Sequence, residues 1–162
     1  MNIHNFSTLR VSGGAGSGGG ALGYVPDWSK AVKVETSTYT APADGVIYAY
    51  SCTIDSIAML APPNYPYAAI KKGSVATSFA NMGGVFVPFS ARRMGALNYS
   101  AAQVIPAKGS ITLTSDGCAF ARDEISVNGV SFMALGFVFI SAGVGFYNGS
   151  ASGYNVIFIP VK

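Results

Sequence analysis

The sequence predicts an all-β sandwich preceded by a flexible Gly-rich N-terminal arm, and three observations carry that expectation. Residues that favour extended backbone dominate, with 15 Val, 11 Ile, 8 Thr and 20 aromatics against 6 Leu and 2 Glu. Two of the strongest helix formers are thus nearly missing, while the β-branched and aromatic residues that suit a pleated surface abound. Turn dipeptides recur along the chain at Asp44-Gly45, Asp116-Gly117, Asn128-Gly129 and Asn148-Gly149, each built from residues that tolerate the positive φ of two-residue hairpin loops. Residues 12–23 read SGGAGSGGGALG, a run too rich in glycine to hold a fixed backbone by itself.

In chain order, residues 1–23 are expected to be an anchoring arm and linker, with Phe6, Leu9 and Val11 as a small docking segment ahead of the glycines. Residues 24–162 then form the β-domain, long enough to bury a core without help from metal or disulfide. Strands are expected near 31–39, 45–53, 67–72, 74–80, 84–89, 102–105, 110–115, 124–128, 130–140, 143–147 and 153–161. Val32 and Val34 alternate with Lys33 and Glu35, and Ile111 and Leu113 with Thr112 and Thr114, which is the pattern of strands with one wet face. VFVPF at 85–89 and FVFI at 137–140 have no polar face at all. Many short strands at this spacing read as a sandwich or barrel.

Charge is scarce. Ten Lys and Arg stand against seven Asp and Glu in 162 residues, where average usage would supply about 40 charges. A mean hydropathy of +0.39 and a net charge of +3 exclude disorder for the bulk of the chain. The scattered cations make no stripe able to neutralise a run of phosphates, so no nucleic-acid partner is expected. The shortage is concentrated in residues 125–161, which carry no charge. That length suits a membrane-spanning helix, but the bracketing Asn-Gly pairs and the glycines at 136, 143 and 145 favour strand, turn, strand, and no membrane insertion is expected. No basic-then-apolar leader opens the sequence. Cys52 and Cys118 sit among small and apolar residues with no metal-ligand spacing, and are read as buried thiols, a mutual disulfide being the alternative.

Motifs of chemistry are thin. Residues 14–19 spell G-x-G-x-x-G, but no strand precedes them and no helix follows, as a dinucleotide site requires. The lone histidine, His4, lies in the arm, so neither a His-based triad nor a zinc site is expected. Among the carboxylates, Asp44 and Asp116 are taken up by turns, and Asp123 and Glu124 are adjacent, so on a strand they point apart. Asp55 is left as the single candidate for a glycan hydrolase. No catalytic residue, metal or cofactor is therefore assigned. The segment 65–99 carries the best candidates for surface recognition: Tyr65, Tyr67, Arg92, Arg93 and Tyr99, since Tyr and Arg combine a flat apolar face with hydrogen-bonding groups. The bland alternative has the tyrosines rim the core and the arginines lie in solvent.

The segment TYTAPADGVIYAY (38–50), preceded by PDWSKAVKV (26–34) and followed by VIPAKGSITLTSDG (104–117) and YNVIFIPVK (154–162), resembles small virion proteins of tailed bacteriophages. The resemblance extends in outline over residues 26–162, with Ser110 where such proteins often carry Asp. It implies a jelly-roll-like sandwich of the TNF and C1q kind, assembled as a homotrimer and used as a head fibre, capsid decoration or receptor-binding knob. The expected function is accordingly a non-enzymatic virion structural protein, a trimeric surface knob held by its arm to the major capsid or to tail and baseplate proteins. A host-surface glycan is a candidate partner, and assembly takes place in the host cytoplasm. The alternative is a tail-borne receptor-binding or lectin-like protein.

Overall fold

Strand alternation is resolved in a computed structural model that describes residues 23–35, 37–56, 58–60 (as a strand only), 67–79 and 83–162. Among the described residues seventeen strands follow one another, all paired antiparallel: β1 (Tyr24–Pro26), β2 (Val32–Val34), β3 (Thr38–Thr40), β4 (Gly45–Ala49), β5 (Cys52–Ile54), β6 (Ala58–Leu60), β7 (Tyr67–Ile70), β8 (Val75–Thr77) and β9 (Gly84–Arg93), then β10 (Gln103–Ile105), β11 (Ser110–Thr112), β12 (Gly117–Ala121), β13 (Glu124–Val127), β14 (Val130–Met133), β15 (Gly136–Ile140), β16 (Gly145–Asn148) and β17 (Val156–Pro160). The fold is all-β, as expected. The arm residues Phe6, Leu9 and Val11, and Tyr65, lie outside the described residues.

Within the β-domain the jelly-roll circuit is run twice. β2 to β9 make one pair of sheets, ordered β2-β9-β4-β7 and β3-β8-β5-β6; β10 to β17 make another, ordered β10-β17-β12-β15 and β11-β16-β13-β14. Numbered within its own half, each set follows the orders 1-8-3-6 and 2-7-4-5, the doubled Greek key of a jelly roll. β1 extends the first roll by pairing with the far end of β9.

The two rolls agree in detail. The Gly73 amide donates to the Ala41 carbonyl and the Ala41 amide to the Ser74 carbonyl; Gly143, Leu113 and Val144 repeat this arrangement. Gly73 has φ 87° and Gly143 φ 84°, the left-handed conformation that glycine adopts without steric cost. Asp44 and Asp116 each accept a backbone bond on their side chains, from the Lys72 amide at 2.8 Å and the Ala142 amide at 2.7 Å respectively. Their own carbonyls accept from Phe89 and Val161. The equivalences Asp44 with Asp116 and Pro88 with Pro160 both fall 72 positions apart.

The inner face of the first roll is filled by Val34, Ile47, Ala49, Cys52, Ile54, Ala68, Ile70, Ala76 and Phe86. Ala119, Ile125, Val127, Val138, Phe146, Val156 and Phe158 belong to a larger cluster that also takes in Val46, Tyr48, Tyr67, Val85 and Val87 of the first roll. One core therefore runs from the second roll into the outer face of the first.

Several strand boundaries depart from the sequence expectation. Residues 45–53 form two strands because after Ala49 the chain crosses to the opposite sheet, and 130–140 split into β14 and β15 for the same reason. β12, GCAFA, was not anticipated. Its inward residues Gly117, Ala119 and Ala121 are small and carry little hydrophobic signal; the Phe158 ring occupies the space a Cβ at Gly117 would need, and Ala119 is paired with Phe158.

The Asp-Gly pairs are not hairpin loops. Gly45 and Gly117 open strands β4 and β12, and a Cβ on either would meet a carbonyl oxygen of the neighbouring strand and a phenylalanine ring, Phe86 at 2.7 Å or Phe158 at 2.6 Å. The glycine is needed for close approach, not for turning. Asn148-Gly149 is not a hairpin loop either, because Asn148 ends β16 with its side chain buried. Asn128 and Gly129 do join β13 to β14, with φ 51° and 81°, as a two-residue hairpin of the primed type demands. Gly45→Ala and Gly117→Ala should each lower unfolding free energy by about 1–3 kcal/mol through overpacking. Gly145→Ala, where a Cβ meets nothing within 4 Å, should stay within about 0.5 kcal/mol; urea unfolding of the three variants checks the contrast.

Candidate functional site

The chemistry-bearing residues fall into a buried aromatic seam between the rolls, a set of carboxylates at strand connections, and two exposed surfaces. The seam forms around Trp28, in a short 3-10 turn between β1 and β2 (Trp28–Lys30). Its indole is 1% exposed and packs nearly parallel to both Tyr48 of the first roll and Phe132 of the second, the three ring centroids lying 5.7 Å from one another. The indole N–H donates to the Phe139 carbonyl at 2.8 Å, and the Phe139 amide donates to the Tyr48 hydroxyl at 3.0 Å. The Asn128 side-chain amide donates to the Trp28 carbonyl at 3.2 Å, so a residue predicted only as a turn also ties the rolls together.

Tyr67 belongs to this seam. It is 4% exposed, and its ring meets Tyr48 and, edge-on, Phe139. Its assignment to a recognition surface is therefore corrected: β7 lies between the first roll's interior and the second roll, and both faces are covered. Burial pushes the Tyr48 and Tyr67 hydroxyls well above their usual range. Cys52 and Cys118 are free and buried in different rolls. Desolvation raises the Cys52 thiol to about 12 and pushes the Cys118 thiol well above its usual range, which keeps both protonated and unreactive at neutral pH.

All five aspartates hold backbone. Asp27 accepts from Ser29 and from the Lys30 amine; Asp44 holds the Lys72 amide. Asp55, the sole hydrolase candidate, sits at φ 49° in the β5 to β6 turn and accepts from the Val75 amide at 2.7 Å. Asp116 accepts two bonds from the Arg92 guanidinium, at 2.6 and 3.0 Å, besides the Ala142 amide. Asp123 accepts from its neighbour Glu124, from the Ser150 hydroxyl at 2.8 Å and from the Ser152 amide at 3.3 Å, pinning the loop before β17. Asn148 completes that corner, donating to the carbonyls of Ile105 and Tyr154 and accepting from the Ser150 amide; Gly149, after it, offers its carbonyl to the Lys108 amine. Among the described residues no group of three His, Cys, Asp or Glu is placed to hold a metal.

On the surface, Arg92 is committed to Asp116, and the Arg93 guanidinium lies over the Tyr24 ring at 4.5 Å. Tyr99, 54% exposed, opens a separate short 3-10 turn. The predicted recognition set is thus dispersed into different local roles. A feature the sequence did not point to is a shallow trough of about 460 Å³ on the outer face of β11, β13 and β16, lined by Ser110, Thr112, Ser126 and Tyr147 with Ile111, Phe146 and two glycines. Alternating Ser and Thr on these strands was its only sequence signal, and ordinary wet strand faces carry the same pattern.

No family model, curated protein or solved structure matches the chain.

Trp28→Ala should cost about 3–5 kcal/mol, read as a lower urea midpoint. The hydrogen bonds to Asp27, Asp55 and Asp123 hold these carboxyls below their usual range: the Lys30 amine first at Asp27, the Val75 amide at Asp55, the Glu124 amide at Asp123. A folded-state pKa below the unfolded one gives stability that is complete above the unfolded value, about 4, and lost as pH falls through the folded one. Asp123→Asn should accordingly be less stable than the parent at neutral pH, with the difference shrinking as pH falls below about 4, measured by urea unfolding across that range.

Proposed function

We propose that this chain is a non-enzymatic structural protein of a tailed-phage virion: a trimeric surface knob, held to the particle through its N-terminal arm and presenting its loops outward. The observation that carries this reading is the employment of all five aspartates in holding strand connections, which is how a scaffold rather than a reaction centre uses its carboxylates. The doubled jelly roll suits a role as a compact building block, and the resemblance of residues 38–50 and 104–117 to small virion proteins supplies the setting. Many copies on one particle would turn weak contacts with a cell surface into adhesion through effective concentration.

A lectin-like reading has one observation in its favour, the hydroxyl-lined trough with Tyr147 at its side. Hydroxyls and an aromatic ring are the groups that take up a sugar's polar edge and apolar face.

Deleting residues 1–22 should leave the β-domain folded by circular dichroism while abolishing co-sedimentation with particles that lack this protein. Retained attachment would overturn the anchoring role. On a glycan array the purified protein should bind no sugar; binding that disappears in Tyr147→Ala would instead establish the lectin reading.

A further inference from the structure

We propose that Asn128 is a site of spontaneous chemical modification: its side-chain amide closes onto the Gly129 nitrogen, and the acid that results weakens the tie between the two rolls. The same dipeptide stands at Asn148-Gly149, where the fold blocks the reaction. The reaction belongs to the chain itself, whatever particle or surface the chain serves.

The chemistry needs an Asn followed by a residue whose backbone nitrogen can reach the side-chain carbonyl carbon. Asn is among the thermolabile side chains, and glycine, having no Cβ, leaves the approach to its nitrogen unhindered and its backbone free to turn. The Gly129 nitrogen gives up its proton and attacks Asn128 Cγ, forming an N–Cγ bond. The Cγ–Nδ2 bond breaks, the departing nitrogen takes up a proton, and ammonia leaves behind a five-membered cyclic imide. Water then opens the imide at one of its two carbonyls. Cleavage of the new N–Cγ bond gives aspartate; cleavage of the original peptide bond gives isoaspartate, in which the main chain runs through Cβ and Cγ. Water is the one co-reactant and ammonia the one by-product.

The two dipeptides sit in opposite surroundings. Asn128 and Gly129 are both exposed at the tip of the β13 to β14 hairpin, and a Cβ placed on Gly129 would meet nothing within 4 Å. Among the described residues the Asn128 side chain makes one hydrogen bond, from Nδ2 to the Trp28 carbonyl at 3.2 Å. Closure at the tip therefore costs one side-chain bond and a movement of two exposed residues. Asn148 is 1% exposed and ends a strand. Its Nδ2 donates to the carbonyls of Ile105 and Tyr154, and its Oδ1 accepts from the Ser150 amide. Gly149 is buried as well, with the Glu124 carbonyl oxygen 3.2 Å from where its Cβ would stand. Closure there must first break three bonds in a packed corner, and a reaction that waits on local opening is slowed by the cost of that opening.

The consequence falls on the seam. Asn128 holds the carbonyl of Trp28, in the turn that carries the indole. A carboxylate at position 128 accepts hydrogen bonds and donates none, so the bond is replaced by two acceptors facing each other. Isoaspartate also adds a carbon to the main chain of a two-residue loop whose φ values of 51° and 81° suit a primed turn.

Held folded at mildly alkaline pH, the full chain should accumulate aspartate and isoaspartate at position 128 at least about tenfold faster than at position 148, equivalent to about 1.4 kcal/mol. Tandem mass spectrometry with isoaspartyl methyltransferase labelling reads both sites. In urea the two should convert at similar rates, because the difference lies in the fold. The converted fraction carries one more negative charge and separates on ion exchange. It should unfold at a lower urea midpoint than the parent, with altered emission from Trp28, the one tryptophan of the chain. Asn128→Asp should reproduce the lower midpoint without incubation, and Asn128→Gly, which keeps a residue suited to positive φ, should hold its midpoint through the incubation. Equal conversion at both sites of the folded chain would overturn the assignment. So would an unchanged Asn128 in the folded chain while the urea-unfolded chain converts. A converted fraction with the parent's midpoint and Trp28 emission would overturn the link to the seam.

Discussion

The cluster that Trp28 forms with Tyr48 and Phe132 is the constraint on which the arrangement of this protein depends. The indole lies in the segment that leads into the first roll, yet its hydrogen bond ends on Phe139 in the second. The Tyr48 hydroxyl, from the first roll, is in turn bonded by the Phe139 amide. Buried polar atoms are costly unless paired, and here each of the two polar aromatic atoms is paired across the seam. The rolls are thus held in one register by directional bonds as well as by burial of apolar surface, which alone is indifferent to small rotations.

The seam also explains why the halves are so apolar. A jelly roll of about 60 residues buries too little of its surface to be stable with a comfortable margin. Sharing one core between two rolls makes up the deficit: Val46, Tyr48, Val85 and Val87 serve the second roll while Ile47, Ala49 and Phe86, their neighbours along the same strands, fill the first. Strands buried on both faces read as continuous apolar runs, which accounts for VFVPF and much of GVIYA. The charge-free residues 125–161 supply four strands and most of a fifth to the second roll, so much of their hydrophobicity is satisfied within the chain.

The repeat was written in the sequence, but quietly. TAPADG at 40–45 and TLTSDG at 112–117, and VFVP at 85–88 and IFIP at 157–160, recur at one spacing. Scattered short matches of this kind are hard to separate from the turn vocabulary of any β-protein, and they become a repeat only when strand order shows equivalent residues in equivalent places. The aspartates illustrate the same limit. Asp44 and Asp116 were recognisable as structural, while the clamp between a strand entry and a connection about 28 residues distant in one roll and 26 in the other is a long-range bond that local spacing cannot express. Tyr67 and Arg92 were legible as residues suited to recognition. Whether an amphipathic side chain faces solvent or a neighbouring roll is decided by what lies across from it.

By itself the sequence determined that the chain is all-β, that glycine sets an N-terminal run apart, and that Asn128-Gly129 turns a hairpin. These follow from backbone preference and local periodicity, which act over a few residues. The tertiary structure alone decided that there are two rolls rather than one and that Trp28 sits at their seam. Those facts depend on which strands become neighbours, a property of pairings between residues as far apart as Trp28 and Phe139, and composition and spacing carry no record of such pairings.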